Sequence, residues 1–309
     1  MADLRVNLCG VEFANPVIAA SGCFGFGAEY GKYYPLSKLG GISVKGLTLE
    51  PREGNPAPRI AETPSGMLNA VGLQNPGVDA FLRDVLPALT DAGTRIIANI
   101  AGRTVDDYCE MARKLQGAPV DMIELNISCP NVREGGVAFG ARPEGIRAVV
   151  SAVKPLCRQP LVVKLTPNTA DIAEAARAAE EAGADALSLI NTLTGMAIDV
   201  RTRRPILANI TGGLSGPAIK PVALRMVWQA AQAVKIPVIG MGGILSGEDA
   251  VEFLLAGATA VQVGTANLID PTACVDIIQG IERYMEQYGV ARVGDLVGAL
   301  KVDGGATCG

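Results

Sequence analysis

The chain has 309 residues, a formal net charge of −4 and no cluster of basic residues, which argues against nucleic acid as its main partner. No apolar run reaches the length of a membrane span and no signal peptide is apparent, so we expect a soluble, cytoplasmic protein without membrane association. The chain contains no histidine, so proton transfer would have to use another side chain.

Cysteine usage points to a reducing compartment and to no metal centre. The seven cysteines are scattered, and none forms a C-x-x-C pair, so a zinc site or an iron–sulfur cluster held by this chain alone is not expected. We therefore interpret them as reduced thiols of a cytoplasmic protein.

Short apolar segments alternate with amphipathic helical segments along the chain, a pattern typical of parallel βαβ units. The chain begins with a hairpin pattern at residues 4–8 and 11–13. Eight later segments are predicted as strands: residues 17–20, 41–45, 95–100, 122–127, 161–165, 186–190, 237–240 and 260–264. Helices with clear end signals are predicted over residues 104–115, 169–182 and 246–256, the last two ending at glycines.

Eight such units in one chain of this length predict a single α/β domain over residues 1–309, a (β/α)8 TIM barrel with an N-terminal β-hairpin. A doubly wound open sheet is the structural alternative. Three long connections, residues 48–75, 128–143 and 191–216, follow predicted strands. They are therefore expected as long functional loops on the C-terminal face, where barrel active sites lie.

The fourth predicted strand ends in polar residues around a cysteine, Cys129, with Asn126, Ser128 and Asn131 beside it. A thiol at the C-terminal end of a parallel strand is well placed for chemistry, although a free cysteine is also a common small core residue. Because histidine is absent, proton transfer would have to use a cysteine, lysine, tyrosine or carboxylate, and this thiol is one such candidate.

Glycine clusters end the last two predicted strands, at residues 240–244 and 263–265. Barrels often bind phosphate with the loops after strands seven and eight, where glycine amides allow an anion to approach closely. The alternative is that the glycines only end strands and permit turns. The segment Gly212-Gly-Leu-Ser-Gly-Pro217 could complete the same phosphate site, although Ser215 and Gly216 alone would be weak evidence for it.

Polar side chains end several other apolar strands. Lys45 and Lys164 occupy such positions, and a buried lysine needs an anionic partner, although an end residue can also be exposed at the surface. Asn99, Asn126 and Asn191 likewise end strands and could bind a heterocycle, or could cap loops. Asn69 and Asn75 in the second long connection could reach the same barrel mouth.

Taken together, these motifs resemble the flavin-dependent dihydroorotate dehydrogenases over essentially the whole chain. The motifs are Ala20-Ser-Gly-Cys-Phe-Gly-Phe-Gly27, Ser43-Val-Lys-Gly-Leu-Thr48, Met67-Leu-Asn-Ala-Val-Gly-Leu-Gln-Asn-Pro76, Asn126-Ile-Ser-Cys-Pro-Asn131, Val163-Lys-Leu-Thr-Pro167, Ile190-Asn-Thr192, Thr211-Gly-Gly-Leu-Ser-Gly-Pro217, Gly240-Met-Gly-Gly243 and Val263-Gly-Thr265. The resemblance implies FMN as cofactor and the oxidation of dihydroorotate to orotate in pyrimidine biosynthesis. A proton would leave C5 to Cys129 as base, and a hydride would leave C6 to flavin N5.

The resemblance also implies roles for individual residues. FMN would contact Ser21, Lys45, Gly46, Asn99, Asn126, Lys164, Ile190, Gly216, Gly242, Gly243, Gly264 and Thr265. Dihydroorotate would contact Lys45, Asn69, Ala70, Val71, Gly72, Leu73, Asn126, Asn131, Asn191 and Thr192. Lys164 is expected to stabilise negative charge at the pyrimidine end of the flavin and is the second catalytic residue after Cys129.

Within the family, a cysteine base and the sequence from Ser21 to Gly27 are similar to the NAD-linked type of the cytosolic class. This similarity implies a homodimer core joined by an electron-transfer subunit that carries FAD and a [2Fe–2S] cluster, as a heterotetramer. The alternatives are a fumarate-linked homodimer, a flavin enzyme acting on another dihydropyrimidine, a non-redox barrel that binds a sugar phosphate, and an interaction subunit without catalysis.

Overall fold

The computed structural model describes residues 2–128 and 137–302 of the chain. Its strands are β1 Val6–Leu8, β2 Val11–Phe13, β3 Val17–Ala19, β4 Gly41–Ser43, β5 Ile60–Thr63, β6 Gly66–Asn69, β7 Arg95–Ile100, β8 Met122–Asn126, β9 Leu161–Lys164, β10 Ala186–Leu189, β11 Leu193–Met196, β12 Ile198–Asp199, β13 Arg204–Pro205, β14 Thr211–Ser215, β15 Val238–Met241 and β16 Ala260–Val263.

Its helices are α1 Val78–Ala80, α2 Leu86–Thr90, α3 Val105–Leu115, α4 Val137–Gly140, α5 Pro143–Val153, α6 Ile172–Glu181, α7 Lys220–Ala233, α8 Gly247–Leu255, α9 Ala266–Ile269 and α10 Ala273–Tyr288. A π-helical segment, Phe81–Val85, joins α1 to α2. Short 3-10 turns lie at Tyr30–Lys32, Leu36–Lys38, Lys154–Leu156, Pro217–Ile219 and Val293–Leu296. In the described part of the chain, no helix has both the length and the apolar character needed to cross a bilayer.

Eight of these strands form a closed barrel in the order β3, β4, β7, β8, β9, β10, β15, β16, and every neighbouring pair is parallel. The predicted (β/α)8 barrel is confirmed, and the doubly wound alternative is excluded because an open sheet has two edges. Strands such as β8 and β15 are buried along their whole length, as expected where helices cover the outer face. The hairpin β1–β2 is also confirmed.

Local sequence signals set the helix ends. Thr104 and Asp107 form a capping box at the start of α3, and Ser246 and Asp249 form another at α8, as the polar residues there predict. Helix α6 starts later than the predicted residue 169. Asp171 is its N-cap, because its side chain accepts from the N–H groups of Ala173 and Glu174, so residues 169–171 precede the helix.

Two of the three long connections, residues 48–75 and 191–216, were expected as loops, and here the structure differs, while the third lies partly outside the described residues. Strands β5 and β6 from residues 60–69 pair with β11 and β14 from residues 193–215, in a four-stranded antiparallel sheet of order β5, β6, β14, β11. Strand pairing between distant segments leaves no local signal beyond alternation, so the sequence did not predict it. This sheet, here called the side sheet, forms a wall beside the C-terminal ends of the barrel strands.

Candidate active site

A cavity lies at the C-terminal ends of the barrel strands, bordered by the side sheet. The residues that follow β3, β4, β10, β15 and β16 line it, together with the last residues of β8 and β9. This is the face of a TIM barrel on which active sites are found.

Most of the predicted site residues line this one cavity, although they come from distant parts of the sequence. They are Ser21, Lys45, Gly46, Asn69, Val71, Gly72, Leu73, Asn126, Lys164, Ile190, Asn191, Thr192, Gly216, Gly242, Gly243, Gly264 and Thr265. Their convergence on a single cavity agrees with a shared site, while the ligand that each would bind stays a prediction.

Asn99, Ala70 and Asn75 do not line the cavity. Asn99 is fully buried beneath it, next to Gly46. Ala70 is buried in a small apolar cluster of the side sheet, and its N–H donates to the carbonyl of Arg59. Asn75 holds its own loop together by binding Thr48. The prediction that Asn75 reaches the barrel mouth is therefore wrong.

The predicted base Cys129 and the predicted substrate ligand Asn131 lie outside the described residues, so their roles stay predictions. The chain is described up to Ser128, two residues after the end of β8. Ser128 is buried, and its hydroxyl donates to Asn126 Oδ1 at 3.0 Å. The residue preceding Cys129 is therefore fixed to the floor of the cavity.

One end of the cavity is built from backbone groups after β15 and β16. The N–H groups of Gly242, Gly243, Gly264 and Thr265 form no hydrogen bond with any residue that the structure describes. Gly243 has a φ of +80°, and a Cβ there would come within 2.8 Å of Lys220 Cβ, so the backbone requires glycine. Four N–H donors without a partner beside a cavity form a site for an anion such as phosphate.

At Gly264, unlike at Gly243, the surrounding residues leave room for a side chain. A Cβ at Gly264 would meet its nearest atoms, Cys23 Sγ and Ala20 Cβ, at 3.5 and 3.7 Å, which are ordinary contacts. The chain alone would therefore tolerate a side chain there. The absence of a side chain at Gly264 leaves space in the cavity, which a ligand would need to approach the backbone closely.

The floor of the cavity rests on a carboxylate, Glu124, that is completely buried inside the barrel. Its Oε2 accepts hydrogen bonds from Ser43 Oγ at 2.7 Å and from Asn99 Nδ2 at 2.5 Å. Its Oε1 accepts from Ser188 Oγ at 2.7 Å and from Gln262 Nε2 at 2.8 Å. Both oxygens are thus doubly occupied, which is the full acceptor capacity of an ionised carboxylate.

Burial by itself would raise the pKa of Glu124, but Lys164 and the hydrogen bonds from Ser188, Ser43 and Asn99 outweigh it and hold the pKa below its ordinary value. Lys164 Nζ lies 3.9 Å from Glu124 Oε2 and forms no hydrogen bond with the described residues. Its side chain is only 6% exposed. A buried ammonium group at the cavity floor therefore has a countercharge but has donors left for a ligand.

Cys23 is the cysteine that lines the cavity among the described residues. Burial raises the pKa of its thiol, and the opposing effects of Lys45 and Lys164 do not offset this. Cys23 is therefore a neutral thiol near neutral pH and is poorly suited to take a proton.

Sequence reasoning missed Glu124 and Gln262 as parts of the site. Each stands inside an otherwise apolar strand, where a polar residue is costly unless it has partners, and this was the signal that could have identified them. Gln262 lines the cavity, and its Oε1 is buried without any hydrogen-bond partner among the described residues.

These features fit FMN, the cofactor that the motifs imply. The N–H groups at the glycine end suit a phosphate, and the free donors of Lys164 together with the unpaired Gln262 Oε1 suit the alternating acceptors and donor of the pyrimidine end of a flavin. No residue described at the cavity contradicts this fit.

Comparison with known proteins identifies the family over nearly the whole chain. The family model described as dihydroorotate dehydrogenase matches residues 3–285. The protein named dihydroorotate dehydrogenase B (NAD(+)), catalytic subunit, of Alkaliphilus metalliredigens is 60% identical over 298 residues, covering 96% of this chain and 99% of the relative. Proteins with the same name are 58% identical over 299 residues in Geotalea uraniireducens, and 54% identical over 301 residues in Thermoanaerobacter pseudethanolicus.

The coverage is 96% of this chain and 98% of the Geotalea protein, and 97% of this chain and 100% of the Thermoanaerobacter protein. Identity this high over nearly full length, together with the family match, confirms the resemblance that the motifs predicted. The chain belongs to the dihydroorotate dehydrogenase family.

Proposed function

We propose that this chain is the FMN-dependent catalytic subunit that oxidises dihydroorotate to orotate in pyrimidine biosynthesis, in the cytoplasm, with NAD+ as the final electron acceptor. The observation that carries the proposal is one cavity that joins an anion site made of backbone N–H groups to a buried lysine and a set of amides. The names of the relatives support the same substrate and acceptor.

FMN would be held at two ends. Gly242, Gly243, Gly264 and Thr265 would bind its phosphate, and Gly216 lies beside them, since a Cβ on Gly243 would come within 2.9 Å of the Gly216 carbonyl oxygen. The remaining contacts would come from the cavity residues predicted for the ring and its chain, namely Ser21, Lys45, Gly46, Asn126, Lys164 and Ile190. Asn99 would act from beneath, through Asn126.

The reaction removes one proton and one hydride from the substrate, so that the C5–C6 bond becomes a double bond. When bound, FMN accepts the hydride that leaves C6. The thiolate of Cys129 takes the proton from C5, which requires a thiol whose surroundings favour ionisation. Lys164 would hold a positive charge at the cavity floor and would stabilise negative charge on a ligand bound there.

The substrate carries a carboxylate and a ring with alternating donors and acceptors. Lys45 would neutralise the carboxylate, and the amides of Asn69, Asn126 and Asn191 would pair with the ring. The pairing of β6 with β14 places Asn69 opposite Gly213, so the side sheet provides one wall of this pocket.

The electrons must then leave the chain. The relatives are named as catalytic subunits of an NAD(+) enzyme, which supports a separate partner subunit. We propose a homodimer of this chain joined by an electron-transfer subunit with FAD and a [2Fe–2S] cluster. Co-expression with that subunit should give a heterotetramer that reduces NAD+, whereas reduction of fumarate by the chain alone would contradict the NAD-linked assignment.

The first experiment is the anaerobic visible spectrum of the purified chain before and after adding dihydroorotate. We expect a flavin spectrum that bleaches on addition. A flavin that stays oxidised with dihydroorotate but bleaches with another dihydropyrimidine would contradict the substrate. A protein that takes up no FMN would contradict the redox function.

A further inference from the structure

Glu124 has no role in the reaction described above, yet it is the most highly connected polar side chain of the site. Side chains from β4, β7, β10 and β16 donate hydrogen bonds to it, and Lys164 from β9 lies near it. Burial of a carboxylate is costly, and this one is fully paired, so it is expected to have a specific purpose.

A carboxylate accepts hydrogen bonds and donates none, so it fixes the direction of the amides that bind it. Asn99 must turn its Nδ2 to Glu124, which leaves its Oδ1 to accept from Asn126 Nδ2 at 3.3 Å. Gln262 must likewise turn its Nε2 to Glu124, which leaves its Oε1 as an unpaired acceptor at the cavity.

The hydrogen bonds continue beyond Asn126 to Ser128, which precedes the predicted base in the sequence. Asn126 Oδ1 accepts from the hydroxyl of Ser128, and Ser128 Oγ accepts from Asn191 Nδ2 at 2.8 Å. Asn191 Oδ1 in turn accepts from the N–H of Thr192 at 2.8 Å. In this series of hydrogen bonds, the group that donates at each residue follows from the bond before it. The series starts at the buried carboxylate of Glu124.

We propose that Glu124 is a positioning residue that sets the pattern of donors and acceptors on the cavity floor, by holding the Lys164 ammonium and by orienting the amides of Asn99, Asn126, Gln262 and Asn191 towards FMN and substrate. The inference rests on the proposed function, since FMN and dihydroorotate are the ligands that would read this pattern. Glu124 itself does not line the cavity, because it is fully buried inside the barrel, so it would act through the residues that it holds.

The substitution Glu124→Gln tests the proposal, because it preserves shape but replaces one acceptor oxygen with a donor. Serine hydroxyls can rotate to accept from the new NH2, but an amide NH2 of Asn99 or Gln262 cannot. One of these two amides must therefore lose its bond or turn over, and Lys164 loses its countercharge. The folded state should persist while the cavity floor changes its pattern.

The measurement is the dissociation constant of FMN for the apoprotein, from quenching of flavin fluorescence. It is made on the unmodified protein and on four variants: Glu124→Gln, Lys164→Gln, the double variant of these two, and Asp185→Asn. Glu124→Gln should weaken FMN binding at least ten-fold. In the Lys164→Gln background the same change should weaken it less than three-fold, because part of its effect passes through Lys164. An equal loss in both backgrounds, or unchanged or tighter binding in the single variant, would overturn the proposal.

Two further observations separate positioning from a general structural effect. The matched control Asp185→Asn makes the same carboxylate-to-amide change at the opposite end of the barrel and should leave FMN affinity within two-fold. The visible bands of bound FMN should shift in Glu124→Gln and not in Asp185→Asn. Bands that shift equally in both, or in neither, would contradict a specific effect at the cavity floor.

If Glu124→Gln does not fold, Asn99→Ala tests the series of hydrogen bonds between the amides without altering the buried charge. Asn126 would then lose the acceptor of its Nδ2, and we expect FMN affinity to fall about five-fold, while an unchanged affinity would overturn this branch. Failure of the proposed function looks different, because the unmodified chain would then not bind FMN or not bleach with dihydroorotate.

Discussion

The carboxylates at one end of the barrel have partners within the protein, whereas several backbone and amide groups at the cavity end have none among the described residues. At the N-terminal ends of the strands, Asp121 accepts from Arg95 at 3.0 Å and from the N–H of Ile96 at 2.7 Å. Asp185 accepts from Lys154 and from the N–H of Leu161. At the C-terminal ends, the N–H groups after β15 and β16 and the Oε1 of Gln262 have no partner among the described residues.

The difference shows which end serves stability and which serves ligands. Buried polar groups in folded proteins are nearly always paired, so several unpaired groups that converge on one cavity imply a partner that is not part of the chain. The carboxylates of the N-terminal end already have partners within the chain and can contribute only to folding. Substitutions at the two ends should therefore separate activity and cofactor affinity from stability.

The largest expected effect is on the proposed base. Cys129→Ser should slow the reduction of bound flavin by dihydroorotate about 100-fold or more near neutral pH, because a hydroxyl is a far weaker base than a thiolate. Anaerobic stopped-flow bleaching measures this rate, and the flavin content of the variant should equal that of the unmodified chain. Unchanged bleaching would remove Cys129 from the mechanism.

The next effect concerns the lysine at the cavity floor. Lys164→Gln removes the ammonium group near Glu124, and at saturating FMN the reduction of the flavin should slow about 100-fold, as when one charge-stabilising donor is removed from an active site. Stopped-flow measurement at several FMN concentrations separates this loss from weaker cofactor binding. If extra FMN restored the full rate, the lysine would serve binding alone.

A smaller effect is expected at the glycine end, and it tests the comparison most directly. Gly264→Ala should lower FMN affinity about 10-fold while the apoprotein unfolds at an unchanged temperature, because the added Cβ makes only ordinary contacts within the chain. Gly243→Ala is the matched contrast, since its φ of +80° and its close contacts should also destabilise the apoprotein. Loss of stability in Gly264→Ala would show that the chain itself needs that glycine.

The smallest effect on catalysis belongs to the N-terminal end. Asp185→Asn removes the charge that pairs with Lys154, and the half-buried position should make this cost about 1 kcal/mol in the free energy of unfolding. Urea denaturation measures the cost, and the rate of flavin reduction should stay within two-fold. A slower reaction would mean that the two ends are not independent.

The barrel could be predicted from the sequence because its strands are short apolar runs separated by helices with standard end signals, such as the capping boxes at Thr104 and Ser246. The strand ends were off by a residue or two; β4, for example, ends at Ser43 and not at residue 45. Beyond the end of the strand, the backbone still pairs through single hydrogen bonds. An apolar sequence pattern does not distinguish such a segment from a regular strand.

The side sheet and the buried network could not be predicted in the same way. Asn69 lies opposite Gly213 in the pairing of β6 with β14, and nothing in either segment specifies the other. Likewise, Glu124 lies two residues before the motif Asn126–Asn131, but its donors Ser43, Ser188 and Gln262 come from three other strands. Only the closed barrel brings them to one point.

The side sheet has a consequence for how the protein is made. Asn69 contacts Gly213 across 144 residues of sequence, so closing this wall requires a very long chain loop, and such contacts form slowly. During synthesis, strands β5 and β6 must wait as a hairpin with an unpaired edge until β14 has left the ribosome. This wall of the substrate pocket is therefore expected to form only after β14 has emerged, and a nascent chain that ends before residue 211 should lack it.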